Sequence, residues 1–452
     1  MKDYENQGQV FGFPQKAERY WDPSETMDPE LRQDLIWQRV HAQVEYAWEK
    51  SPFYRKKWTT VGFELGDLQS WKDFERLPVT TKDELRQDQA ECPPFGSNLC
   101  VPIETIHHIH GTSGTTGRPT VFAWTREDWQ YMAESHARVM WGFGLRPGNR
   151  VFIGSVFSLY IGAWGVLAGV DRLGAQAFPF GAGQPGQTDR AIDWLLTLKP
   201  QAFYGTPSYA LYLAERAKAR GIDPHEFGIS ILFFSGEPGA GIPTTKHVIE
   251  EIFGGICVDT GSMAEATPWM SNAECKYRTG MHLWQDIVYT EVLHPQSHQL
   301  VPYGCEGSPV YTHTFRQAQP IIRMWSGDLT QWANDPCPCG RTYPRLPMGV
   351  FGRVDDMITV RGANVYPSQV EAVLGQFETL AHEFRLIVTR EGTLDELTVQ
   401  VESWPPDSRL IHALKDQLKN ALGVRTEVEM VRPGSLERTE FKARRVIDRR
   451  KG

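Results

Sequence analysis

The chain has 452 residues, 41% of them apolar and 12% aromatic, enough for more than one hydrophobic core and too many residues for a single one. Its net charge of −8 and isoelectric point near 5.9 exclude a broad nucleic-acid or acidic-membrane surface, while leaving room for local basic contacts to a phosphorylated ligand. Seven scattered cysteines do not make a secreted disulfide framework, and the opening MKDYENQGQV lacks the apolar stretch of a signal peptide, so a cytoplasmic protein with reduced thiols or a bound metal is expected.

Residues 29–51 read as a helix: Pro29 stands in the first turn, Leu31, Leu35, Val44, Ala47 and Trp48 recur at helical spacing, and Ser51-Pro52 ends it. Residues 111–120, GTSGTTGRPT, have the composition of a phosphate wrap. Gly111, Gly114 and Gly117 let the backbone approach a ligand, Thr112, Ser113, Thr115 and Thr116 supply hydroxyls beside the backbone N–H groups, and Arg118 adds a permanent charge. The run is not a Walker loop, since Thr116 stands where the second glycine belongs and no Lys-Ser/Thr follows. Nor is it a nucleophile elbow, because Thr115 replaces the last glycine of GxSxG. A flexible surface loop is the plain alternative; against it, Arg118-Pro119 stiffens the exit and residues 121–124 resume as a strand.

Residues 151–170 carry no charge and are long enough to cross a bilayer, but Gly154, Gly162, Gly165 and Gly169, with Ser155 and Ser158, interrupt them, so a buried strand feeding a helix is expected. Strand-like runs at 150–156, 201–204, 229–234 and 255–259 alternate with helix-like runs at 189–198, 208–220 and 244–253. That alternation predicts a largely parallel, helix-covered sheet with ligands at the strand C-terminal ends. After about Arg353 the pattern restarts as a small α+β unit, with strands at 386–389, 397–402 and 426–431 and a helix at 410–422. No internal repeat is present.

TSGTTGRPT resembles the phosphate-binding signature of adenylate-forming enzymes, the superfamily of acyl-CoA synthetases, luciferases and peptide-synthetase adenylation domains. YWDP from Tyr20, SPFYRKK from Ser51, LPVTTKDELR from Leu77 and GRVDDMITVRGANVYPSQVE from Gly352 extend the likeness nearly end to end, and together they look like a phenylacetate-CoA ligase. The resemblance implies an α/β fold: an ATP- and acid-binding adenylation domain over 1–353, with helix-covered sheets, and a small mobile α+β domain over 354–452 that rotates about a hinge. It implies ligation of a small aromatic carboxylic acid, aryl or arylacetic, to CoA through an acyl-adenylate, with ATP and Mg²⁺ consumed and AMP and pyrophosphate released. Two alternatives stay open: a carrier protein or cofactor hydroxyl as acceptor, or a non-catalytic nucleotide-binding homologue. No nucleic-acid or membrane partner is expected, and a homodimer is left open.

Residue by residue, the resemblance implies that 112–118 hold the β- and γ-phosphates and that Glu265, in DTGSMAEATP, ligates Mg²⁺. An exposed helix residue is the ordinary alternative for Glu265. The motif departs from the family: Gly261 replaces an aromatic that would stack on adenine, and Ala264 replaces a hydroxyl residue. Ser235, Gly236, Glu237 and Pro238 are therefore candidates for adenine. Asp328, in SGDLT, matches the ribose-binding aspartate and Arg353 its assisting arginine. Asp355 falls at the hinge, Gly362 beside the CoA arm, and Lys442, in RTEFKARRVID, aligns with the lysine that contacts carboxylate and α-phosphate. A solvated basic tail is the bland reading of that last segment. Cys275, His282, Cys337 and Cys339 offer three thiolates and an imidazole, the donor set of a closed structural Zn²⁺ site, with unmetallated buried thiols as the alternative. Phe157, Tyr160, Trp164, Phe203, Tyr204 and Tyr209 are candidates for an aromatic acid pocket, or for plain core.

Overall fold

The computed structural model describes residues 20–112, 119–182, 186–261, 263–266, 272–354, 358–361, 363–377, 380, 383–391, 394–403, 405–437 and 445–450. The first long helix, Pro29–Lys50, starts where Asp28 accepts hydrogen bonds from the N–H groups of Glu30 and Leu31, with Pro29 at the first position, where its missing N–H costs nothing. Ser51 ends it and caps the next helix, Pro52–Thr60, by accepting from Tyr54 N. Of the expected apolar residues, Val44 and Ala47 lie in the core and Trp48 packs against it. Ile36, Val40, Val44 and Ala47 pack against Tyr54, Trp58 and Phe74, while Leu31 is exposed, because the four-residue row through Ile36 and Val40 faces the core.

An antiparallel hairpin of β1 (His108–Gly111) and β2 (Val121–Trp124) follows. The large sheet has the order β14-β9-β8-β7-β6-β5-β3-β4. Its parallel half comprises β3 (Arg150–Ile153), β4 (Gln176–Phe178), β5 (Ala202–Gly205), β6 (Ile231–Phe234) and β7 (Ile256–Gly261). Three short antiparallel strands extend it: β8 (Asn272–Ala273), β9 (Met281–Leu283) and β14 (Arg345–Leu346). Side chains along the parallel strands alternate between two cores, as the strand period of two requires. Val151, Ile153, Tyr204 and Phe233 enter one; Phe152, Phe203, Leu232 and Phe234 enter the other.

The uncharged stretch 151–170 is divided as expected, into β3 and the helix Gly162–Leu173. Its glycines have a packing reason: a Cβ on Gly169 would lie 2.3 Å from His136 Cβ, so glycine is what lets this helix lie against Arg126–Gly142. Among the described residues no helix is long and apolar enough to cross a membrane.

A second, antiparallel sheet contains β10 (Val288–Leu293), β11 (Glu306–His313), β13 (Asp328–Gln331) and β15 (Val350–Arg353), with β12 (Met324–Trp325) beside β11. Beyond it, β16 (Ile358–Val360) and β17 (Ala363–Val365) pair as a ribbon, and a four-stranded sheet takes the order β20-β19-β18-β21, from β18 (Phe384–Glu391), β19 (Leu394–Glu402), β20 (Thr426–Val431) and β21 (Val446–Asp448). The helix Ser408–Leu422 turns Leu414, Leu418 and Leu422 onto that sheet, and among the described residues the resulting core draws only on those from Ile358 onward. Thr245 Oγ1 donates to Glu371 Oε1 at 2.9 Å, joining the helices Pro243–Phe253 and Pro367–Leu374 across the two halves of the chain.

Candidate active site

In sequence the glycine- and threonine-rich run joins β1 to β2, and its described ends are held together. Thr112 N donates to Thr120 O at 3.0 Å, and Thr120 N donates back to Thr112 Oγ1 at 3.1 Å, closing the base of the loop. Gly111 N donates to Leu159 O at 2.9 Å, and Gln89 brackets Val121 through both its amide atoms. A Cβ at Gly111 would meet Thr120 O at 2.9 Å and Leu159 Cδ2 at 3.1 Å, so this glycine serves a close backbone approach. Ser113, Gly114, Thr115, Thr116, Gly117 and Arg118 lie outside the described residues, as do Asp355, Gly362 and Lys442.

The segment from Ser235 to Pro238 leaves the C-terminal end of β6, where ligands of parallel sheets bind. Ser235 is buried and its N–H donates to Gly205 O at 3.3 Å, while Gly236 takes a φ of +92°. Glu237 Oε1 accepts from Ser208 N at 2.6 Å, at the N-terminus of the helix Pro207–Ala219, where the helix dipole favours a carboxylate. This segment is therefore tied to its neighbouring helix through Glu237.

Glu265 is only 1% exposed and sits in a turn, which removes the reading of it as an exposed helix residue. Lys82 Nζ lies 3.3 Å from its Oε1. A carboxylate this buried would be costly without a cation beside it. Sequence reasoning missed Lys82, although a signal was present. It is the first residue of the helix Lys82–Glu91, announced by the capping box of Thr81 and Glu84, and a cation at that end opposes the helix dipole.

Asp328 and Arg353 are brought together as expected. They are cross-strand partners of β13 and β15, with Arg353 Nη1 3.1 Å from Asp328 Oδ1. The proposed aromatic pocket, in contrast, divides. Phe203 and Tyr209 belong to one core and Tyr204 to the other, because consecutive residues of β5 point to opposite faces. Phe157, Tyr160 and Trp164 remain half-buried near the hairpin; Phe157 and Trp164 meet edge to face at 5.1 Å, and Tyr160 bridges to Gly111.

Cys275, His282, Cys337 and Cys339 converge, all buried, with their ligand atoms within 4.8 Å of one another. Cys275 Sγ and Cys337 Sγ are 3.7 Å apart, and Cys339 Sγ is 3.4 Å from His282 Nε2. Such separations suit the edges of a tetrahedron with metal–ligand bonds of about 2.0–2.3 Å, so the donor set fits Zn²⁺ in number, type and spacing. The hydrogen bond between Cys275 and Cys339 lowers the pKa of the first thiol and raises that of the second, so the two share one proton between them. The same loop braces the start of the described chain: Tyr20 OH donates to Cys339 O at 2.7 Å, and Arg341 Nε donates to Glu25 Oε2 at 2.7 Å.

Residues 362–450 match the family model described as the AMP-binding enzyme C-terminal domain. A phenylacetate-coenzyme A ligase of Thermus thermophilus is 34% identical over 96% of this chain and 100% of its own length, and one from Escherichia coli is 32% identical over 95% and 97%. The chain belongs to the phenylacetate-CoA ligase family of adenylate-forming enzymes. This ligase is an AMP-forming acid–thiol ligase that uses ATP and CoA. It also superposes on a crystal structure of 2-hydroxyisobutyryl-CoA ligase in the postadenylation state with a TM-score of 0.93 and 51% identity, covering 97% of this chain and 94% of that one. The same enzyme in its thioesterification state, with CoA, gives 0.74 at 52% identity, covering 96% and 93%. The two halves of the present ligase are therefore arranged as in the postadenylation form.

Proposed function

We propose that this ligase activates a compact branched 2-hydroxy acid, of the 2-hydroxyisobutyrate type, and transfers it to CoA. The 51% identity with 2-hydroxyisobutyryl-CoA ligase over nearly the whole of both chains carries this reading, against 34% for the Thermus phenylacetate enzyme. The division of the six candidate aromatics between two cores and the hairpin supports it. An aryl or arylacetic acid is the second reading, favoured by the end-to-end likeness to the phenylacetate ligases and by the three half-buried aromatics beside the hairpin.

In the first step a carboxylate oxygen attacks the α-phosphorus of ATP and the bond to pyrophosphate breaks. In the second the CoA thiolate attacks the acyl carbon and AMP leaves. The first transition state gathers negative charge on phosphate oxygens, and the second gathers it on the acyl oxygen and then on the departing AMP phosphate, so positioned donors and cations do most of the work. In this reading Thr112 and residues 113–118 hold the phosphates, 235–238 line the adenine, and Asp328, oriented by Arg353, receives the ribose hydroxyls. Glu265 would hold Mg²⁺, which when present offsets phosphate charge, and Lys442 would stand by the carboxylate for the first step. The domain beyond Arg353 then turns about Asp355, bringing Gly362 beside the CoA arm. The different TM-scores against the two states of the hydroxyisobutyryl enzyme support a turn of this kind. Zn²⁺ at the Cys/His cluster would be structural, since four protein ligands would leave no open position.

The test is AMP release across 2-hydroxyisobutyrate, other short hydroxy acids, benzoates and arylacetates, with ATP and Mg²⁺, with and without CoA. CoA-dependent turnover confined to short hydroxy acids is expected. Preference for an arylacetate would overturn the leading reading in favour of the second, and adenylation that ignores CoA would point to a carrier-protein acceptor.

A further inference from the structure

His110 is a buried polar group that the roles above leave unused. It lies on β1, one residue before Gly111, and is only 5% exposed. Its ring is nearly parallel to that of Trp129, with centroids 5.4 Å apart at 16°, and stands 6.0 Å from Trp164. Trp164 is held in turn by its indole N–H, which donates to Ser158 O at 2.9 Å.

The protonation of the ring follows from its partner. Leu159 O lies 3.3 Å from His110 Nδ1 and, being a carbonyl, can only accept, so Nδ1 carries the hydrogen. Burial lowers the pKa of His110, which keeps the ring neutral near pH 7. Nε2 is thereby left as a bare acceptor. It is buried and has no hydrogen-bond partner among the described residues, a state that is unfavourable unless a ligand brings a donor.

Three segments used by the reaction meet at this ring. β1 runs on into the phosphate loop. Leu159 and Tyr160 pair with Gly111 on the way to the helix Gly162–Leu173. Trp129, stacked on His110, packs in the cluster that also takes Ala264, the neighbour of Glu265.

We propose that His110 Nε2 accepts the hydroxyl hydrogen of the acid and so selects a 2-hydroxy acid. The inference rests on the hydroxy-acid reading given above and supplies the residue that makes the choice. A site that hydrogen-bonds a substrate hydroxyl rejects an isosteric hydrocarbon strongly, because the buried acceptor is then left unpaired. The neighbouring indole rings of Trp129 and Trp164 offer apolar walls to the methyl groups of a branched acid.

The experiment compares kcat/KM for 2-hydroxyisobutyrate and for pivalate, in which a methyl group replaces the hydroxyl. The wild-type enzyme is expected to favour the hydroxy acid by at least about a hundredfold. His110→Phe keeps a ring and removes the acceptor; it is expected to bring the ratio towards unity by loss on the hydroxy acid alone. His110→Gln returns a side-chain acceptor and should recover part of the preference. A wild-type ratio near unity, or an unchanged ratio in His110→Phe, overturns the proposal, and the wild-type arm does not depend on any variant folding. Phenylacetate turned over far better than either acid would overturn the hydroxy-acid reading itself. Equal use of 2-hydroxyisobutyrate and pivalate would leave a small-acid site standing and remove only His110 from it.

Discussion

In the Cys/His cluster each ligand atom faces the other three, and the group is complete from residues of one neighbourhood. At Glu265 and at Asp328 the charged partners come from distant elements: Lys82, from an N-terminal helix, meets Glu265, and Arg353 meets Asp328 across two strands of the second sheet. The cluster is closed and suited to holding structure. On the proposed reading the nucleotide site is open, with counterions such as Lys82 and Arg353 that a substrate can replace, which is how a site stays ready for a charged ligand. A closed site should be judged by stability and an open one by rate.

That contrast can be broken most sharply at Lys442. If the open site is completed by the mobile domain only for adenylation, Lys442→Ala should slow pyrophosphate–ATP exchange by about a thousandfold while leaving thioester formation from supplied acyl-adenylate within about threefold. Equal loss in both half-reactions would remove the assignment. Glu265→Gln should lower kcat/KM for ATP by about a hundredfold and raise the Mg²⁺ concentration needed for half-maximal rate. It should leave the unfolding midpoint nearly unchanged, because the amide also spares the pocket a buried charge. A large fall in stability with an unaltered Mg²⁺ requirement would make Glu265 a structural residue.

The cluster should answer in the opposite currency. Cys339→Ser is expected to abolish bound zinc by elemental analysis and to lower unfolding free energy by about 4 kcal/mol in denaturant titration, with kcat of the folded fraction within about twofold. Wild-type protein free of zinc after mild chelation, with its stability intact, would show the four side chains to be plain buried thiols and an imidazole.

The smallest effect concerns the joint between the two halves. Burial raises the pKa of Glu371, whose carboxyl accepts from Thr245. A raised carboxyl pKa means that the docked arrangement gains from the neutral form, so this contribution is full at low pH and is lost as pH rises through the raised value. Distance measurements between labels on the two halves should therefore show a modest shift towards undocked populations with rising pH in the wild type. Glu371→Gln should flatten that dependence.

The strand at 121–124 and the alternation of strand and helix were legible because both are local, whereas the pairing of that strand with β1 was not foreseen. Turn residues, caps and apolar runs act over a few positions, and β2 begins and ends where its composition says. The second, antiparallel sheet was less visible. Its strands are joined by long irregular connections, and its pairing of Asp328 with Arg353 depends on register between segments far apart in the chain.

By itself the sequence determined the family, the four members of the Cys/His set, and the pairing candidates Asp328 and Arg353. Only the tertiary structure decided which face of each element counts. It placed Phe203 and Tyr204 in different cores, turned Leu31 outward and Ile36 inward, set Lys82 against Glu265, and left His110 Nε2 buried with no donor among the described residues. The physical reason is common to all four. Composition and spacing act along the chain, whereas burial, counterion choice and hydrogen-bond satisfaction depend on what other segments bring to the same place.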